Sequence, residues 1–332
     1  MAAIGLIVHE DRPAAAKSAR DLSKWLTSSG HQVRMPPEEA EATGCKNLAV
    51  EHKGFADGLD TLITLGGDGS ILRAIKLVGT TQVPILGVDF GRLGYLSEVQ
   101  PGKARAAIER VLKGDFKVED RLLLDITHQP CHTTHHTKER TADSSTTCQT
   151  DIKESSKTPR TSSSVNRYLA LNEAFIERGP SSNTIFLTVH LDDDLFTTYR
   201  ADGLIVATPT GSTAYAFSAG GPIIDPSHQA LLLTPVSPHM LFNRSLVVPS
   251  STHLQIMVTS NRPAVLSIDG RRVAKIDVGD TVKCSKSPHS VRFIKFGKRP
   301  FHQVLKAKFG LADYHIDDSQ PDYLTSSNPD NI

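Results

Sequence analysis

The chain has 332 residues, 39% of them hydrophobic, enough to bury one large core or two smaller ones. Its 37 Lys and Arg nearly balance 36 Asp and Glu, so no net field points to nucleic acid or an anionic membrane as a partner. Cys45, Cys131, Cys148 and Cys284 are scattered without Cys-x-x-Cys spacing, against a disulfide framework or zinc ribbon, and no apolar run approaches the roughly 20 residues of a membrane span.

In chain order, residues 1–8 are apolar, but too short and too soon followed by charge for a secretory leader. A soluble, cytoplasmic protein is expected. Residues 4–8 read as a buried strand. Residues 15–28 follow as a helix with Ala15, Ala19, Leu22, Trp25 and Leu26 on one face and Gly30 as its stop. A second strand begins near residue 31 and breaks at Pro36-Pro37. Residues 59–65 are a strand, 70–78 a helix, 83–88 a nearly all-apolar strand of the kind buried on both faces, and 103–112 a helix. This alternation predicts a three-layer α/β domain with a mostly parallel sheet over residues 1–120.

After Arg121 the texture changes. Strand-like runs at 122–127, 168–177, 184–191, 195–200, 204–207, 245–248, 253–258, 265–268, 281–284 and 291–296 predict a β-rich, mainly antiparallel domain over 121–300. Between residues 128 and 166 the chain is dense in Ser, Thr, Lys and His, with almost no aliphatic residues, and reads as a disordered insertion. Its His128, His132, His135 and His136, with Cys131, match no zinc spacing, so a polar loop is expected there rather than a metal site. A short helix at 301–312 is expected to pack back on the structure, before a disordered tail at 313–332.

Three segments carry chemistry. In the first, Gly66-Gly67-Asp68-Gly69-Ser70 stands between a strand and a helix, where glycines allow close backbone approach and the helix start presents N–H groups to an anion. No Gly-Lys-Ser/Thr follows, so this is not a Walker loop. Asp68 would repel a phosphate unless Mg²⁺ or a proton intervenes. It either caps the helix or acts as a base, and the roles are compatible. The second runs from Asp202 through Thr208-Pro209-Thr210-Gly211-Ser212-Thr213-Ala214-Tyr215 to Ser218, a strand ending in a helix start crowded with small and hydroxyl residues. In the third, Asn172-Glu173 interrupts an apolar strand. Adjacent strand residues face opposite sides, so either the strand breaks or bulges there, or only one side chain faces a ligand. A carboxylate at 173 can accept from both hydroxyls of a ribose, and Asn172 can pair with a base.

These motifs, with the glycine-rich stretch 87–96, occur in the order and spacing of the NAD kinase family, which the chain resembles from about residue 4 to 305, apart from the insertion. The glycine-aspartate turn alone is shared with phosphofructokinases and lipid kinases; the Asn-Glu pair joined to the Thr-Pro-Thr-Gly-Ser-Thr-Ala-Tyr segment is specific. The resemblance implies transfer of the ATP γ-phosphoryl group to the 2′-hydroxyl of the adenosine ribose of NAD, with Mg²⁺ arriving on ATP and no metal site of the protein's own. Asp68 would be the catalytic residue, and Gly66, Gly67, Gly69 and Ser70 the phosphate cradle. Asp68, Gly69, Tyr95, Asn172, Glu173, Thr213, Ala214, Tyr215 and Ser218 would bind the NAD, Arg200 and Asp202 facing its nicotinamide half. Asp269 matches a further motif. Family members commonly form dimers or tetramers in which a neighbour completes the NAD site. Polyphosphate as donor, a lipid or sugar kinase of the same superfamily, and a nucleotide-binding regulator without turnover are the alternatives.

Overall fold

The computed structural model describes residues 1–91, 94–131, 165–180, 183–260, 262–297 and 300–311; most of the expected insertion, the expected tail, and Arg92 and Leu93 of the glycine-rich stretch lie outside the described residues. β1 (Ala3–Val8) leads into α1 (Pro13–Ser28), which starts on proline, a residue suited to the first helical position because no N–H is needed there. α1 buries Ala15, Ala19, Leu22 and Leu26. Trp25 is only half-buried, lying beneath the Arg105 guanidinium at 4.7 Å from the ring centroid. After β2 (Gln32–Arg34), the chain does not simply break at Pro36-Pro37. Pro37 instead opens α2 (Pro37–Thr43), with Glu38 and Glu39 in the first turn, where the helix dipole favours acids. β3 (Thr61–Gly66), α3 (Asp68–Val78), β4 (Ile85–Asp89) and α4 (Ala104–Leu112) complete this part.

The four strands are parallel in the order β2-β1-β3-β4. Alternation decides which helix each residue meets. Ile4, Leu6, Val8, Ile63, Leu65, Leu86 and Val88 pack with α1 and α4 on one face, while Ile7, Leu62 and Ile85 pack with Ile71, Ala74, Ile75 and Val78 of α3 on the other. Helices on both faces explain why these strands read as continuous apolar runs.

The rest is β-rich: β5 (Lys117–Gln129), β6 (Asn166–Ala170), β7 (Glu173–Arg178), β8 (Ile185–Leu191), β9 (Asp194–Ala201), β10 (Gly203–Ala207), the single-turn α5 (Tyr215–Ser218), β11 (Ala230–Val236), β12 (Leu246–Pro249), β13 (Leu254–Val258), β14 (Ala264–Ile268), β15 (Arg271–Ile276) and β16 (Thr281–Lys295). The runs at 281–284 and 291–296 belong to one strand, β16, whose pairing with β5 shifts register between Lys286 and Ser290. The first sheet runs β2-β1-β3-β4-β16-β13-β8-β9, with β5 also on β16 and β6 on β5; the second, β12-β11-β10-β7-β14-β15, is antiparallel throughout. A third core fills the space between the sheets, with Leu124, Ile126, Leu187, Val189, Leu204, Val206 and Leu233 among its members. The run expected at 168–177 is two strands. β6 belongs to the first sheet and β7 to the second, and the chain changes sheets at Leu171-Asn172. Residues Met1–Gly297 form one compact unit; α6 (Phe301–Phe309) belongs to a separate unit that begins at Lys298. No described helix is long and apolar enough to cross a membrane.

Candidate active site

β3 ends at Gly66 and α3 starts at Asp68, with Gly67 as its N-cap. A helix supplies no partners for the N–H groups of its own first turn. Those of α3 adjoin a cavity of about 390 Å³ lined by His9, Glu10, Asp11, Arg12, Gly67, Gly69, Ser70 and Arg73, in which Arg73 is paired with Glu10, so it is the helix-start N–H groups rather than a net positive lining that suit an anion. Nothing lies within 4 Å of where a Cβ would stand on Gly67 or Gly69, so a ligand can come close, whereas at Gly66 it would meet Ser70 Oγ at 2.1 Å.

Asp68 does not cap the helix. Its Oδ2 accepts the Tyr95 N–H at 3.0 Å and its Oδ1 the Leu96 N–H at 3.3 Å. A side chain on Gly94 would stand 2.2 Å from Asp68 Oδ1, so only glycine lets this loop close over the carboxylate. Asp89 shapes the same loop by accepting the N–H groups of Gly91 (2.8 Å) and Gly94 (3.2 Å). Burial, and then the Asp68 charge, push the Tyr95 phenol above its usual range.

The sheet change at 171–172 resolves the puzzle of two adjacent polar residues in a strand. Asp269 and Gly270 form the two-residue turn between β14 and β15, both with positive φ (45° and 75°), as a tight hairpin turn requires. From there Asp269 Oδ2 accepts the Leu171 N–H (3.1 Å), and Oδ1 accepts those of Asn172 (2.8 Å) and Glu173 (3.2 Å). The Asp269 N–H in turn donates to the Glu173 carbonyl at 3.0 Å. A half-buried carboxylate thus satisfies the backbone where it leaves one sheet for the other.

Glu173 is 5% exposed, and its carboxylate accepts the Tyr215 N–H while Oε2 has no partner. Burial, then the Asp269 charge, push it up to about 7. The segment after β10 is fastened to the same bend. Thr208 N–H donates to the Asn172 carbonyl at 2.9 Å, Thr208 Oγ1 accepts the Gly211 N–H at 3.1 Å, and a Cβ on Gly211 would lie 2.1 Å from the Asn172 oxygen. Tyr215 also meets Phe175 edge-on at 5.0 Å. Leu96, Leu171 and Ile71 share one core cluster, so the Asp68 loop, the Asn172 bend and α3 are packed together.

The structure therefore gathers Asp68, Gly69 and Tyr95 on one side and Asn172, Glu173 and Tyr215 on the other. Thr213 and Ala214 lie in the short 3-10 link before α5, and Ser218 is exposed at its end. Arg200 and Asp202 are elsewhere. Asp202 pairs with Arg178 (3.1 Å) at the far end of β10 from Ala207, the partner of Glu173, five strand residues or about 17 Å away. Asp89 was not singled out by residue from sequence, and Thr208 and Asp269 were noted without a role. The Asp-Gly pair directly after the strand-like run 265–268 was the available signal for the Asp269 turn.

The ATP-NAD kinase N-terminal domain matches residues 4–116, and the ATP-NAD kinase C-terminal domain matches residues 171–296, which takes in every element of this site. The chain belongs to the ATP-NAD kinase family. Among relatives, an NAD kinase of Symbiobacterium thermophilum is 34% identical over 304 residues, covering 91% of this chain and 97% of that protein. One from Syntrophotalea carbinolica is 33% identical over 314 residues, covering 94% and 100%. The ATP-NAD kinase fold is seen again in yeast NADH kinase complexed with NADH (TM-score 0.78, 24% identity, 95% of this chain and 89% of that one). It recurs in an NAD kinase from Archaeoglobus fulgidus in complex with ATP (TM-score 0.66, 21% identity, 94% and 100%). An α/β part with a parallel sheet followed by a mainly antiparallel part is the architecture of this family member, as expected from its sequence.

Proposed function

We propose that this chain transfers the γ-phosphoryl group of MgATP to the 2′-hydroxyl of the adenosine ribose of NAD. The observation that carries the site assignment is the buried Glu173 carboxylate, with one oxygen unpartnered, at a bend packed against the Asp68 loop. A buried acceptor without a partner costs about 1–3 kcal/mol, and a ribose hydroxyl would relieve that cost. In this reading the α3 start, with Gly67, Gly69 and Ser70, holds the donor phosphates, and the Mg²⁺ that comes with ATP offsets the charge of Asp68. Asp68 accepts or orients the 2′-hydroxyl proton; Glu173 takes the ribose hydroxyls and Asn172 the base. Tyr95, Thr213, Ala214, Tyr215 and Ser218 surround the adenosine.

Phosphoryl transfer needs alignment and charge neutralisation more than covalent help; the pinned loops would supply the alignment and the Mg²⁺ that comes with ATP the neutralisation. Arg200 and Asp202 act on the nicotinamide half of NAD, and in a homodimer or homotetramer a neighbouring copy completes the site; the separation of about 17 Å along β10 is compatible with either origin for Asp202. Incubation of the purified chain with MgATP and NAD should yield NADP; polyphosphate in a parallel reaction tests the donor. Asp68→Asn should lower kcat at least about tenfold with little change in NAD affinity, since general-base help is worth about 10²–10⁴-fold. Near-normal turnover in that variant would remove Asp68 from the chemistry.

A further inference from the structure

A second cavity, of about 680 Å³, lies beside this site and shares no lining residue with the phosphate turn. Its walls are the C-terminal half of α3, β6, the β14–β15 hairpin and the irregular stretch of β16 around Pro288. Lys76 enters it two helical turns beyond Asp68, about 12 Å along the α3 axis. The volume falls within the roughly 300–1,000 Å³ of small-molecule sites.

Its surface is divided chemically. Ile75, Leu169 and Ile268 supply an apolar floor, and the exposed cations Lys76, Arg167 and Arg271 ring it. Arg272 also lines it but is engaged by Glu177 at 3.4 Å. Among the described residues, none of Lys76, Arg167 and Arg271 has a carboxylate at ion-pair distance. The Lys76 ammonium is pushed below its usual range by burial first and by the Arg271 charge next, with the Asp269 carboxylate opposing them in part. Two acids oppose them. Asp269 is committed to the N–H groups of Leu171, Asn172 and Glu173, which leaves Asp125 as the other acid.

We propose that this cavity is a second ligand site, taking a small molecule of the nucleoside diphosphate class with its ring on the apolar floor and its phosphates between Lys76 and Arg271. Arg167 at the rim adds a third donor. Asp269 forms a wall common to this cavity and to the Glu173 bend, so an occupant lies one carboxylate away from the residue assigned to the ribose.

Calorimetric titration of the full chain with ADP tests this. The expected result is two sites per chain, one at the α3 start and one here. The double variant Lys76→Ser/Arg271→Ser should weaken the second at least tenfold and leave the first within twofold, with Lys76→Gln as a milder companion whose thermal melt confirms folding. Inorganic pyrophosphate should fill the second site more weakly than ADP, for want of a ring. A single ADP per chain, a second site indifferent to both variants, or equal affinity for pyrophosphate would overturn the proposal. The NADP assay is independent of it: one-site binding in a chain that makes NADP sinks this site alone, and two-site binding in a chain that makes none sinks the kinase reading alone.

Discussion

Glu173 couples the site to pH in two ways. Its carboxyl is raised from 4.5 to about 7 in the folded chain, so between those values the native state holds a proton that the unfolded state has released. Stability from that proton is fully present below pH 4.5 and is lost as pH rises through 7, by up to about 3 kcal/mol. Glu173→Gln removes the titration. Its melting temperature should gain on the wild type between pH 5 and 8, and a pH-independent difference would contradict the assignment. If the ionised carboxylate accepts the ribose hydroxyls, NAD should also bind up to about tenfold more tightly at pH 8 than at pH 6 in the wild type, with no such trend in Glu173→Gln. Gly94→Ala addresses the other carboxylate: its methyl would take the space of Asp68 Oδ1, and kcat should fall at least as far as in Asp68→Asn. The identities of Asp68, Asn172 and Glu173 as candidates were legible in the sequence, because polar residues among glycines or inside an apolar run ask for a reason. What fastens them was not. Asp89 and Asp269 look like ordinary turn acids until the backbone N–H groups they accept come into view.

At the scale of elements, the β14–β15 turn and the segment after β10 act as two clamps on one bend. Asp269→Asn keeps one acceptor oxygen and tolerates positive φ, whereas Asp269→Ala strands up to three buried N–H groups at about 1–3 kcal/mol each. Chemical denaturation should therefore rank wild type above the Asn variant, and the Asn variant well above Ala. Gly211→Ala would drive a methyl into the Asn172 backbone and should cost about 1–3 kcal/mol while raising the KM for NAD; an unchanged KM would separate this contact from the site. Periodicity foretold the strands that are buried on one or both faces. It missed β11 and β15 for physical reasons. β11 contains Pro235, which argues against a central strand, but β12 pairs only as far as Leu233 and leaves Pro235 a single neighbour. β15 begins with the exposed Arg271, Arg272 and Val273 at a sheet edge, where no core demands alternation. The split between β6 and β7 was open from sequence as a break or a bulge, and only the pairing partners decide it.

For the whole molecule, the place of Asp202 makes subunit sharing measurable. If Asp202 serves a neighbour's cleft, Asp68→Asn and Asp202→Ala chains, each weak alone, should regain about a quarter of wild-type turnover when refolded together as a dimer, because half the dimers are mixed and each mixed dimer has one intact site. No recovery would place both residues in one cleft or remove Asp202 from the reaction. The fold class was readable from composition and alternation, but the joining of both halves in one sheet was not, since pairing between distant segments leaves no local trace. That joining rests on β16, which pairs with β5 from Thr281 to Lys295 and sets Phe293 against Ile85 of β4, while Phe293 and Ile294 enter the cores on either face of the N-terminal sheet. During synthesis, then, the first part to leave the ribosome waits for the last described strand to arrive. Until it does, β4 presents an open edge, and a chain halted before residue 281 should be captured by chaperones or aggregate rather than accumulate as a folded half.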